Sequence, residues 1–90
     1  MNALREDAYA LVDQIAPLDW HLSVVDDLEI HTALYGDARI VVIQERGCPP
    51  RTSVTLGHDW CETSTCYDFS LEEAQRVATV DAIYAIMRRA

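Results

Sequence analysis

Apolar positions recur with two different periods along the chain, and each change of period marks an element boundary. Over the first sixteen residues, Leu4, Ala8, Leu11, Val12 and Ile15 fall at helical spacing while Glu6, Asp7, Asp13 and Gln14 lie outside the stripe. This predicts an amphipathic helix from about Ala3 to Ala16. Asn2 is placed to cap it. Pro17 ends it, having no N–H to donate and disfavouring helical geometry at the residue before it.

From Trp20 the period becomes two. Trp20, Leu22 and Val24 alternate with His21, Ser23 and Val25; beyond Asp26-Asp27 the alternation resumes with Leu28, Ile30, Thr32 and Leu34. Two strands joined by a tight turn follow. If their apolar positions share a face, Val24 opposes Leu28. The loop is then Val25-Asp26-Asp27, His21 faces His31, and Asp27 takes a left-handed conformation, which Asp tolerates. Gly36-Asp37 predicts a type II′ hairpin that pairs Leu34 with Arg39, Thr32 with Val41 and Ile30 with Ile43. This pairing makes Arg39 to Arg46 the central strand and assigns Val41 and Ile43, with Ile30 opposite Ile43, to the helix-covered core. Ala33, Tyr35, Ile40 and Val42, on the other face, are just as apolar, so that face needs a cover or a partner.

Gly47 to Arg51, with Pro49 and Pro50, reads as a rigid connector. Val54 and Leu56 alternate with Ser53 and Thr55 in an expected edge strand from Thr52 to His58. Residues 57–64 fit either a loop or a continuation through Trp60 into a return strand from Thr65 to Phe69. Ser70-Leu71-Glu72-Glu73 is a capping box, in which the serine hydroxyl and the Glu73 carboxylate satisfy each other's backbone donors. It opens a helix from Leu71 to about Arg89, with Arg88 and Arg89 at its negative end. Its apolar face is read as Ala74, Val77, Val80, Ile83, Tyr84 and Met87.

The expected fold is therefore α+β, a single globular domain over residues 1–90. An N-terminal helix, a four- or five-stranded antiparallel meander and a C-terminal helix follow in order, both helices on one sheet face. Ninety residues suffice for one modest core. No apolar run approaches the ~20 residues that cross a bilayer, and charges interrupt the N-terminal stretch, so a cytoplasmic location is expected.

Charge narrows the class of partner. Fifteen acids against seven bases, all arginine, give a net charge of −8. Such a field repels nucleic acid and membrane headgroups and favours a basic protein. Double-stranded RNA-binding domains have a similar order of helix, antiparallel strands and helix. Glu72 and Glu73, standing where a phosphate-binding helix carries basic residues, argue against that function.

Candidate chemistry adds little to this. Ser53, Ser64 and Ser70 lack a nucleophile-elbow setting, and no glycine-rich phosphate loop is present, so no catalytic or cofactor-binding residues are assigned. Cys48, His58, Cys61 and Cys66 are ligand types for zinc. Their spacing of nine, two and four intervening residues lacks paired C-x2-C knuckles, and reduced thiols packed as small hydrophobes are the simpler reading. The leading expectation is a non-enzymatic protein-binding module, an accessory or inhibitor protein whose carboxylates imitate phosphates on a basic partner. Asp26, Asp27, Glu29, His58, Asp59, Trp60, Glu62 and Asp68 are its candidate binding residues. A structural homodimer through an uncovered sheet face of Ala33, Tyr35, Ile40 and Val42 is the alternative, and a small metal-binding protein using the cysteine set is another.

Overall fold

The computed structural model describes residues 3–57, 60–67 and 69–89, so the proposed Asn2 cap lies outside the described residues. Helix α1 (Ala3–Val12) precedes β1 (His21–Val25), β2 (Leu28–Tyr35), β3 (Ala38–Glu45), β4 (Arg51–Leu56) and β5 (Trp60–Thr65). Helix α2 (Leu71–Arg89) follows. The five strands form one antiparallel meander in the order β1-β2-β3-β4-β5. This is the expected α+β architecture, with the undecided strand now placed: β5 starts at Trp60 rather than Thr65, and β4 is internal rather than an edge. Helix α1 is shorter than its apolar stripe, stopping at Val12. Both Gln14 and Ile15 N–H groups turn back to the Leu11 carbonyl.

The Gly36-Asp37 hairpin forms in the expected register, Tyr35 opposite Ala38. Gly36 has φ +58°, so the turn calls for glycine, and a Cβ there would also sit tightly against Ile86 Cδ1 of the helix above, at 3.2 Å. The β1–β2 hairpin differs from expectation. Val25 pairs with Leu28, so the loop is Asp26-Asp27, and Asp26 rather than Asp27 takes positive φ, at +53°. This one-residue slip exchanges the faces of β1. His21 stands opposite Thr32, Leu22 opposite His31, and the two histidines are not partners.

A larger correction concerns the sheet face that is covered. Ala33, Ala38, Ile40 and Val42 are buried beneath α2 together with Val54 and Leu56 of β4. Val41, Ile43 and Ile30, expected under the helices, are on the opposite face and only half-buried, and Leu34 is 66% exposed. The homodimer surface of Ala33, Tyr35, Ile40 and Val42 is therefore not free: α2 occupies it.

Helix α2 is apolar on two sides. Ala74, Ala78, Ala82 and Ala85 recur at one-turn spacing and are buried against β3 and β4. Their short side chains let the helix lie close to Ile40, Val42 and Val54. The other side, Val80 and Ile83 flanked by Tyr84 and Met87, packs on Ala8, Val12 and Ile15 at and beyond the end of α1. Helix α1 thus rests on α2 and not on the sheet. The capping box closes as expected: the Glu73 N–H donates to Ser70 Oγ at 3.2 Å and the Ser70 N–H donates to Glu73 Oε1 at 3.5 Å, beside a 3.1 Å bond from the Ser70 hydroxyl to the same oxygen.

Candidate functional site

Alternation along each strand, with one face under α2, leaves the other face of the sheet without a covering helix among the described residues. On β2 it presents Leu28, Ile30, Thr32 and Leu34; on β3, paired with them, Glu45, Ile43, Val41 and Arg39. Val25 and His21 of β1 share it on one flank. On the other flank Arg51, Ser53 and Thr55 of β4, with Cys61, Thr63 and Thr65 of β5, make it polar. Beside the start of β1, Asp19, His21, Thr32, Leu34 and Arg39 line a hollow of about 640 Å³.

The acidic candidates fall into two groups. Asp26 and Asp27 are the exposed tip of the first hairpin. Glu29 lies just behind them, its Oε1 3.3 Å from Nε2 of His31. Glu62 is on β5, the opposite edge, three strand spacings or roughly 14 Å from β2. No single surface holds all four. Trp60 opens β5, but its side chain, together with His58, Asp59 and Asp68, lies outside the described residues. Among the neighbouring aromatics, Tyr67 is 70% exposed and Phe69 is also exposed, so these two rings do not fill the core.

The charged groups are paired with a bias. Arg76 reaches Asp13 at 3.1 Å, Arg89 reaches Asp37 at 3.0 Å and Arg51 reaches Glu45 at 3.6 Å, all at the surface. The fourth pair is inside: Arg5 Nη1 donates to Oδ1 of Asp81 at 2.6 Å, with the Asp81 side chain almost wholly buried. Burial raises the Asp81 carboxyl above its ordinary range; Arg5 works against that rise and Glu62 adds to it. The Arg5 guanidinium also lies over the Tyr84 ring, 5.0 Å from its centre, which fixes α1 on α2 at this point. Sequence reading missed this pair. The available signal was an aspartate inside the apolar run Thr79-Val80-Asp81-Ala82-Ile83.

The cysteines diverge. Cys61 is exposed on the open face, 4.0 Å from Ser53 Oγ, and Cys48 is exposed in the β3–β4 loop. Cys66 is buried on the helix side, its N–H donating to the Pro50 carbonyl at 2.7 Å. Burial, and then the neighbouring Asp81, push its thiol up, and a hydrogen bond with Thr52 works against them. All three thiols are free, so Cys61 and Cys66 do not form a disulfide. Among the described residues no three His, Cys, Asp or Glu side chains converge as a metal site would require, and His58 lies outside them. Also among the described residues, no helix is long and apolar enough to cross a membrane.

Comparison of the chain with known family models, with curated proteins and with solved structures gave no match.

Proposed function

We propose that the chain is a small cytoplasmic protein-binding module that docks on a basic partner and catalyses no reaction of its own. The observation that carries this reading is the charge left over after internal pairing. Arg5, Arg51, Arg76 and Arg89 each contact an acid of the same chain. Glu6, Asp7, Asp26, Asp27 and Glu72 stand exposed with no ion pair among the described residues. Arg39, Arg46 and Arg88 stay exposed without an ion pair among the described residues, yet with a net charge of −8 the field that an approaching molecule meets is acidic. Asp26, Asp27 and Glu29, gathered at one hairpin tip, are the group best placed to imitate successive phosphates. A nucleic-acid-handling protein is the partner such a tip fits, and an accessory or inhibitor protein carried by a phage or mobile element is the role.

The test starts from a partner captured from a host extract. Its affinity for the wild-type chain is compared with that for the triple variant Asp26→Asn, Asp27→Asn, Glu29→Gln. Loss of these rim charges should weaken the complex about tenfold and flatten its salt dependence. Double-stranded DNA should compete with the wild-type chain for the partner. Unchanged affinity in the variant would sink the phosphate-imitation reading.

A further inference from the structure

The open sheet face carries a pattern that matches itself when turned end for end. Along the central strand β3 it reads Arg39, Val41, Ile43, Glu45, with opposite charges at the two ends and branched apolar residues between. Along β2 it reads Leu34, Thr32, Ile30, Leu28. We propose that this face binds a second copy of the chain, the two sheets stacked face to face with their strands antiparallel across the interface.

Two in-plane two-fold axes can stack a sheet on its own copy, and the residues discriminate between them. An axis along the strands sets Arg39 over Arg39 and Glu45 over Glu45, and lays apolar β2 over polar β4. An axis across the strands keeps β2 over β2 and β3 over β3 but reverses their direction. Arg39 then meets Glu45 of the second copy, Val41 meets Ile43, and Leu34 meets Leu28. Like charges repel in the first arrangement and opposite charges attract in the second. Glu45 already contacts Arg51 of its own chain at 3.6 Å, so the incoming Arg39 joins an existing pair. Arg39 is exposed and has no ion pair among the described residues.

Shape agrees with charge. The hollow lined by His21, Thr32, Leu34 and Arg39 lies at the Arg39 end of the face. Val25, 53% exposed, and Leu28 lie at the Glu45 end. Antiparallel stacking brings Val25 and Leu28 of each copy over the hollow of the other. Sheets pack about 10 Å apart and within about 30° of parallel, a separation that these side chains span. A five-strand face measures roughly 20 by 20 Å. The surface removed from water falls below the range of most stable specific complexes, in the class of weak, transient associations, so the dimer is sought at high concentration.

Sedimentation equilibrium from about 1 to about 200 µM tests this. The wild-type chain should pass from monomer to dimer within that span. Arg39→Glu and Glu45→Arg should each raise the dissociation constant at least tenfold, because each sets like charges opposite each other. An equimolar mixture of the two variants should dimerise again, and so should the double variant Arg39→Glu, Glu45→Arg. If Glu45→Arg loses its fold by circular dichroism, Thr32→Lys replaces it, placing a charge against Ile30 of the second copy. A wild-type chain that stays monomeric throughout, or single variants that dimerise as well as it does, overturns the proposal. Capture of a basic partner through the hairpin tip is read separately, since Asp26 and Asp27 are not among the changed residues.

Discussion

Asp81 is the side chain on which the packing of three elements converges. It sits on α2, is held by Arg5 of α1, and faces Glu62 of β5 and Cys66 just beyond it. Its carboxyl is raised above 3.8, so the folded chain holds that proton more tightly than the unfolded one. Stability from this group is present below the ordinary carboxylate range and is lost as pH rises through the raised value. Thermal unfolding followed against pH should therefore show wild type losing ground to Asp81→Asn from pH 3.8 upward. Removing the partner instead should be harmful: Arg5→Met at neutral pH leaves a buried carboxylate uncompensated. That costs about 2 kcal/mol, less than for a fully buried pair because Arg5 is partly exposed. The double variant should recover most of this loss in a denaturant titration. The thiols give a second residue-scale outcome. Cys48 and Cys61 should react with a maleimide in the folded protein, while Cys66, buried and pushed up, reacts only on unfolding. Mass spectrometry of the labelled chain separates the three.

At the scale of elements, the strand at the centre of the sheet shows what a hydrophobic pattern does and does not determine. Arg39 to Arg46 is apolar on both faces, so its own alternation cannot say which face is core. The adjacent strand could have said so. On β4, Val54 and Leu56 are apolar and Ser53 and Thr55 are not, and Val54 stands opposite Ile40. Carrying that pairing across the Pro49-Pro50 connector assigns Ile40 and Val42 to the core. Helix α2 held the second clue. Its four alanines at one-turn spacing form the side that meets the sheet, and larger residues drew attention to the other side. The β1–β2 register failed for a related reason: Leu22 and Val24 look like core residues but project past the reach of α2 and are exposed. A matched pair of substitutions measures the consequence. Val42→Asp buries a charge at a position with 0% exposure and should cost 4 kcal/mol or more, by approximate reckoning. Val41→Asp, one residue along on the open face, should cost about 1 kcal/mol. Equal losses in urea unfolding would contradict the face assignment.

For the whole molecule, element order, the second hairpin, the capping box and the acidic balance were all legible in the sequence, because each depends on residues close together or on simple sums. The distribution of that charge was not. Whether an arginine faces solvent or an acid of its own chain depends on pairs such as Arg89 with Asp37 and Arg76 with Asp13, far apart in sequence and joined only by the packing. The acidic candidates were separated for the same reason: a meander puts its first hairpin and its last strand on opposite edges, a distance no local pattern records.

Because α2 lies between α1 and the sheet, the two outer layers do not depend on each other equally. Helix α1 can detach while α2 remains on β3 and β4, but if α2 lifts, both apolar clusters open at once. Amide exchange should then be graded in two steps. The amides of α1, and those of edge strand β1, should exchange through partial openings of low free energy and little dependence on denaturant. Those of α2, β3 and β4 should exchange together, only when the whole chain unfolds. Uniform protection of α1 and α2 would show that the ion pair between Arg5 and Asp81 binds the two helices into one cooperative unit.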